Sequence, residues 1–478
     1  MLKLYNTLTR SVEDFQPISS PHIGIYSCGP TVYDYQHIGH MRRYVGDDIL
    51  VRALTYNGYD VKHVMNITDV GHLTSDADTG EDKMEKGAKK FGMSVWDIAK
   101  KFEKQFFESL TLLGIKNPDI VIHATDAIAD QIDLIQILEE KGFTYTISDG
   151  VYFDTTKFPD YFKLSRQNPQ ELKAGARVEM AKGKRNITDF ALWKFSPNPL
   201  AGGEKRQMEW ESPWGVGFPG WHIECSAMSM KNLGPTFDMH TGGIDHINIH
   251  HTNEIAQSEA ATGRKFVNYW VHHAFLHVQG QKMSKSIGNI YTVQDVMKKG
   301  FSPLSLRYLY LQTHYRQEMN FTWEALEASQ RALSRLYEEV TKWEKLTDKK
   351  RPGCEEFEKR FFDAVNDDLN MPQALAVVWE LVKSDYPSRA KAESLFTFDK
   401  ILELDIWQVH EKGFVKPEEK IPSEIMEFVT ERNSLRKQKK FILADQIRHK
   451  IIKLGYEIED KKDGKVIVKS IAAEERTY

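Results

Sequence analysis

Along the first 140 residues, strand-like runs such as His22-Ile23-Gly24-Ile25-Tyr26 and Val61-Lys62-His63-Val64-Met65 alternate with helical patterns over 41–56 and 94–113. This alternation leaves little choice but a parallel sheet, because parallel neighbours need a crossover and a helix is the usual one. Such sheets take ligands at the carboxyl ends of their strands, where Cys28 and Thr68 both fall. The pattern breaks after Gly142: two alternating runs flank Asp149-Gly150, which predicts a hairpin turning there, in an inserted antiparallel module. From Asn168 to Arg206 the chain is polar and basic, with Lys173, Arg177, Lys182, Lys184 and Arg185 close together, and reads as a solvated or an RNA-contacting loop.

Strand character returns at Phe237-Asp238-Met239-His240, followed by Thr241-Gly242-Gly243-Ile244-Asp245, where the glycines let backbone approach a ligand and Asp245 can accept from ribose or adenine. Beyond Ser286 no βαβ unit is evident, and helical periodicity over 304–311, 323–343, 355–365 and 372–384 predicts a bundle. A Lys/Pro/Glu stretch, 412–422, reads as a linker. Two helical segments and a short hairpin, 456–460 with 465–468 turning at Asp463-Gly464, end the chain. The expected class is therefore α/β: a parallel-sheet domain in two halves (1–120 and 211–300) around an inserted module (121–210), then an α-helical bundle (301–415) and a small α/β domain (416–478). At 478 residues the chain exceeds what one hydrophobic core usually serves, in keeping with several domains.

A chain of 41% hydrophobic and 28% charged residues is neither disordered nor collagen-like, and it contains no run of 18 apolar residues and no basic-then-apolar leader. A cytoplasmic enzyme with no membrane partner is the expectation. The net charge of -4 neither demands nor excludes nucleic acid, although 431–453 carries a dense run of Lys and Arg. Three dispersed cysteines, Cys28, Cys225 and Cys354, exclude a disulfide framework, and without a C-x-x-C pair spacing alone gives no metal site.

Two separated motifs carry the chemistry. Gly29-Pro30-Thr31-Val32-Tyr33-Asp34-Tyr35-Gln36-His37-Ile38-Gly39-His40 and Lys282-Met283-Ser284-Lys285-Ser286 resemble the HIGH and KMSKS signatures of class I aminoacyl-tRNA synthetases. Moving an adenylyl group from ATP to a carboxylate creates a crowded, anionic phosphorus centre, and imidazoles and ammonium groups can stabilise it. Further blocks, Ile25 to Asp34, Asn66-Ile67-Thr68-Asp69-Val70, Asp189 to Lys194, Gly220 to Met228 and His250-His251-Thr252-Asn253-Glu254, are similar in content and order to the cysteinyl-tRNA synthetase family. The resemblance spans nearly the whole chain.

It implies a Rossmann-type catalytic domain and one zinc held by Cys28, Cys225, His250 and Glu254. His250 and Glu254, four residues apart, share a face if helical. A structural zinc is the competing use. It further implies that His37, His40, Lys282 and Lys285 are catalytic, that His37, His40, Asp245 and Lys285 bind ATP with its Mg2+, and that Thr68 and Trp221 lie near the substrate L-cysteine. Arg436, Asp445, Arg448 and Asp460 match the family's anticodon-reading end. The partner is then tRNA(Cys), and the expected form a monomer. Thr252 departs from the family's usual glutamate, as does Ile249 from its usual proline, which puts the support of the zinc ligands in question, and the choice of His250 over His251 rests on resemblance and spacing. Two alternatives stand beside this reading. One is the ligase of mycothiol synthesis that joins cysteine to an amino-sugar inositol, which resembles the same catalytic half; the other is a synthetase-like RNA-binding protein without catalysis.

Overall fold

The computed structural model describes residues 1–72, 82–168, 182–197, 206–284, 287–346, 352–414, 423–460 and 466–470. Two compact units are present, Met1–Phe414 and Val415–Tyr478. The first is built on a five-stranded parallel sheet with strands in the order Val267–His273, Phe237–Gly243, His22–Ser27, Asp60–Ile67, Ile120–His123. Both faces are covered, so neighbouring residues of a strand enter different cores: Ile25 and Met65 pack into one, Tyr26 and Val64 into the other. Strand order reverses between His22–Ser27 and Phe237–Gly243, which opens a crevice at their carboxyl ends.

The helix Ile38–Tyr56 leaves this crevice. His37 caps it, its ring accepting from the His40 N–H, and Gly58, at φ 88°, lets the chain turn into the next strand. Its buried residues include Met41, Tyr44, Val45 and Ile49, but also Arg42, Asp47 and Asp48. Charged groups so placed must find partners.

The inserted module is a four-stranded antiparallel sheet, Thr144–Ile147, Gly150–Phe153, Phe190–Phe195 and Gly217–Pro219. Its hairpin turns at Ser148-Asp149, not at Asp149-Gly150, because Ile147 already pairs with Gly150. Gly150 serves the next strand instead: a Cβ there would lie 2.3 Å from the Trp193 carbonyl oxygen. Of the basic segment, Lys182, Lys184 and Arg185 are described, Arg185 pairing with Asp154; Lys173 and Arg177 lie outside the described residues.

A second departure from expectation follows the motif at 282. Leu276–Val278 pairs antiparallel with Gln281–Lys282 and parallel with Met319–Phe321, so a crossover through the helices Val293–Lys298 and Pro303–Leu311 does exist there. A three-residue strand is too short to show a period. The bundle follows, with Trp323–Thr341, Glu355–Asn366, Met371–Lys383, Ser388–Leu402 and Ile406–Lys412. Thr322 caps the first of these, and Leu326, Leu333, Leu336 and Val340 form its buried stripe.

The second unit pairs Ser423–Lys437 with Phe441–Lys453 and closes with the antiparallel strands Tyr456–Asp460 and Val466–Ser470 around Ile425, Val429, Ile451 and Ile458. The expected turn at Asp463-Gly464 and linker residues 415–422 lie outside the described residues. Among the described residues, no helix is long and apolar enough to cross a membrane.

Candidate active site and metal centre

A cavity of about 380 Å³ opens at the carboxyl ends of the central strands. Cys28, His37, His40, Thr68, Trp221, Cys225, Asp245, His250 and Lys282, nine of the residues singled out in the sequence, all line it. Lys285 lies outside the described residues.

At one end stand the motif histidines. The rings of His37 and His40 stack with centroids 3.5 Å apart, and His37 Nδ1 accepts from the His40 N–H at 3.2 Å, which leaves the proton of a neutral His37 on Nε2. His40 is exposed to the cavity. Crowding by surrounding protein, and then the charges of His37 and Arg43, shift it below the usual imidazole range. Gly39 between them has a packing role: a Cβ there would meet the Met283 side chain at 2.3 Å. The second motif thus seats directly on the first. Asn289 staples its loop, accepting from the Ser284 N–H at 2.8 Å and donating to the Lys282 carbonyl at 3.2 Å.

Two arginines after the motif do work the sequence did not advertise. Arg42 is buried and donates to four main-chain carbonyls, of Ala274, Phe275, His314 and Gln317, tying the motif helix to the approach of the second motif; burial brings it down to about 10, still charged at neutral pH. Arg43 donates to the Cys28 carbonyl and to Asp47, 3.1 Å away, which also meets His273 at 3.0 Å. Burial opposes ionisation of Asp47, but Arg43 and His273 hold its carboxyl well below the usual range.

At the other end, ligand atoms of Cys28, Cys225, His250 and Glu254, all buried, lie within 4.8 Å of one another. Cys28, His240, His251 and Glu254 meet the same limit. The bonding separates the two sets. His240 Nε2 meets Glu254 Oε2 at 2.8 Å and His251 Nε2 meets Cys28 Sγ at 3.3 Å, so these rings support ligand atoms from behind and neither lines the cavity. His250 instead engages His222 through Nδ1 at 2.9 Å, and its Nε2 points to Glu254 Oε1 at 3.0 Å. That carboxylate oxygen is buried and, beyond its contacts with the His250 and His251 rings, has no hydrogen-bond partner among the described residues. Two sulfurs and an imidazole nitrogen of cavity-lining residues, with a buried carboxylate oxygen of Glu254 within 4.8 Å of them, fit a soft divalent cation. Burial would push the Cys28 thiol up, but the Cys225 hydrogen bond and then His251, His240 and His246 hold it well below the ordinary thiol range. Cys225 is pushed up by the same bond and by burial.

The two departures in the His250 block do not reach the ligand atoms: Thr252 Oγ1 donates to the Ile247 carbonyl at 2.7 Å, and Ile249 stands at the helix cap. Trp221 packs against the His250 ring at 4.4 Å, with Lys83 Nζ 5.0 Å from its own ring. Of the expected glycine pair, Gly243 lines the cavity, whereas Gly242 packs against a histidine. A Cβ on Gly242 would lie 2.5 Å from the His251 ring, so that glycine admits a supporting histidine rather than a ligand.

In the second unit, Arg436 pairs with Asp460, and Arg448 donates to the Ile458 carbonyl at 3.3 Å. Arg432, not anticipated, anchors Asp460 at 2.6 Å and, with Arg436, draws it down to about 2. Asp445 accepts from His449 through its carbonyl. Only one signal could have flagged the supporting histidines: eight of the 17 fall between 222 and 277.

The family described as the tRNA synthetases class I (C) catalytic domain matches residues 14–331, and the DALR domain matches 360–384. Cysteine–tRNA ligase 1 of Burkholderia lata is 47% identical over 97% of this chain and 96% of its own length. The cysteine–tRNA ligase of Treponema denticola is 45% identical over 96% of this chain and 98% of its own. The Agrobacterium radiobacter K84 LeuRS, solved as a ternary complex, shares the fold at TM-score 0.57 and 13% identity over 84% of this chain and 85% of that one. With a full-length match at this identity and both motifs meeting in one cavity, the chain belongs to the cysteine–tRNA ligase family of class I aminoacyl-tRNA synthetases.

Proposed function

We propose that this chain charges tRNA(Cys) with L-cysteine at the expense of ATP, taken with Mg2+. The observation that carries the reading is the meeting, in one cavity, of a soft donor cluster with the histidines and lysine of two adenylation motifs. In the first step a carboxylate oxygen of cysteine attacks the α-phosphorus of ATP and the bond to pyrophosphate breaks. In the second a hydroxyl of the terminal tRNA ribose attacks the carbonyl carbon and AMP leaves. His37 and His40, ring donors at a helix start, suit phosphate oxygens, and Lys282 and Lys285 supply positive charge as it develops. Asp245 at the rim suits the adenosine, and Thr68 and Trp221 the amino acid.

Cys28, Cys225, His250 and Glu254 would hold zinc, with His240 and His251 steadying two of them. A zinc ion there supplies a soft Lewis acid that favours the substrate's sulfur over the harder, less acidic hydroxyl of serine. That discrimination removes the need for hydrolytic editing. The reading places the enzyme in the cytoplasm as a monomer.

Arg436, Asp445, Arg448 and Asp460 are proposed to read the anticodon. A chain ended near Lys416 is then expected to keep cysteine activation while its tRNA charging efficiency falls at least about tenfold, since anticodon contacts help only steps that involve tRNA. Charging of total tRNA with labelled cysteine, run beside pyrophosphate exchange on the same preparation, tests this. Full charging by the shortened chain would remove the second unit from recognition, and transfer to an amino-sugar but not to tRNA would select the mycothiol-type ligase.

A further inference from the structure

Thr68 lines the cavity, and the polarity of its hydroxyl can be read from the bonds around it. The chain of bonds starts at main chain. The Gly29 N–H can only donate, and it donates to Asn66 Oδ1 at 2.7 Å. This fixes the Asn66 amide, whose Nδ2 then donates to Thr68 Oγ1 at 2.9 Å. Having accepted there, the hydroxyl sends its own proton to Glu224 Oε2 at 3.1 Å, and a carboxylate only accepts. The other oxygen, Glu224 Oε1, meets His72 Nε2 at 2.6 Å. Glu224 is wholly buried, His72 nearly so, and neither lines the cavity.

A buried carboxylate costs folding energy unless it is paired, and this one is paired so that one oxygen is held by an imidazole and the other by a substrate-facing hydroxyl. We propose that Glu224, held by His72, is a positioning residue that turns the Thr68 hydroxyl into a pure acceptor toward the cavity, where it receives the α-ammonium of the amino acid and rejects its carboxylate. The proposal rests on the reading of this cavity as a cysteine site. It orders the substrate along the cavity, with sulfur toward Cys28, Cys225 and His250, ammonium at Thr68, and carboxylate toward His37 and His40. Without the Glu224 acceptor, the hydroxyl can swing its proton outward and the ordering loosens.

The test compares L-cysteine with 3-mercaptopropionate, which lacks only the ammonium, as ligands of the full-length, zinc-loaded protein. Glu224→Met is expected to weaken cysteine binding about tenfold or more, to leave 3-mercaptopropionate within about twofold, and to leave zinc content unchanged. Glu224→Gln keeps an oxygen that can accept from Thr68, and should retain cysteine affinity to within about threefold. In a Thr68→Val background, which itself removes the preference for cysteine over the analogue, Glu224→Met should add nothing further. Equal weakening of both ligands, loss of zinc, equal losses for the Met and Gln variants, or an undiminished Glu224→Met effect beside Thr68→Val would each overturn the proposal. Thr68→Val with the wild-type preference would overturn it too, by removing Thr68 as the ammonium's acceptor. Failure of the underlying reading looks different: wild-type protein would then show no cysteine-dependent pyrophosphate exchange at all.

Discussion

Cys225→Ala is expected to drop zinc from about one per chain to a small fraction of that, and to reduce cysteine activation by about three orders of magnitude or more. Cys225 Sγ lies within 4.8 Å of the donor atoms of Cys28, His250 and Glu254, so its removal leaves only three ligands of the set. Elemental analysis of the purified variant, with circular dichroism as a check on folding, reads the first effect directly. Unchanged zinc in a folded Cys225→Ala protein would rule out the set Cys28, Cys225, His250 and Glu254 and would point to Cys28, His240, His251 and Glu254 instead.

Lys285→Ala should slow formation of cysteinyl-adenylate by roughly two to three orders of magnitude while leaving cysteine affinity nearly intact, as loss of transition-state charge stabilisation does. Lys285 lies outside the described residues; the described part of its motif is held by Asn289, which bonds Ser284 and Lys282, and by Met283 against Gly39. Single-turnover kinetics at saturating cysteine separate the two effects. A matching loss of cysteine affinity would make the residue a ground-state or structural contact.

Much of the fold was legible because its strands are covered on both faces and therefore read as apolar runs: His22–Ser27 and Asp60–Ile67 fall where expected, and Trp323–Thr341 shows its helical stripe. What was not legible depended on partners distant in sequence. Met319–Phe321 is a strand only because Leu276–Val278 lies beside it, and Gly150 is needed for the approach of Trp193 rather than for the turn. The site divides the same way. Nothing in spacing joins Cys28 to Cys225, and only the resemblance brought them together. Motif residues such as His37 and His40 could be named, but their supports could not: Arg43 on the Cys28 carbonyl, His240 on Glu254, Glu224 on Thr68 and Asn289 across its loop are ordinary polar residues until the chain folds.

The most direct measurement is amino-acid-dependent exchange between ATP and pyrophosphate, run with L-cysteine and with L-serine on the zinc-loaded protein. Serine differs from cysteine only in the atom offered to the cluster of Cys28, Cys225, His250 and Glu254. Exchange supported by cysteine and weaker with serine by about three orders of magnitude or more is the expected result. Exchange that is absent with cysteine, or that serine supports equally well, would contradict the assignment of this cavity as a thiol-selecting adenylation site.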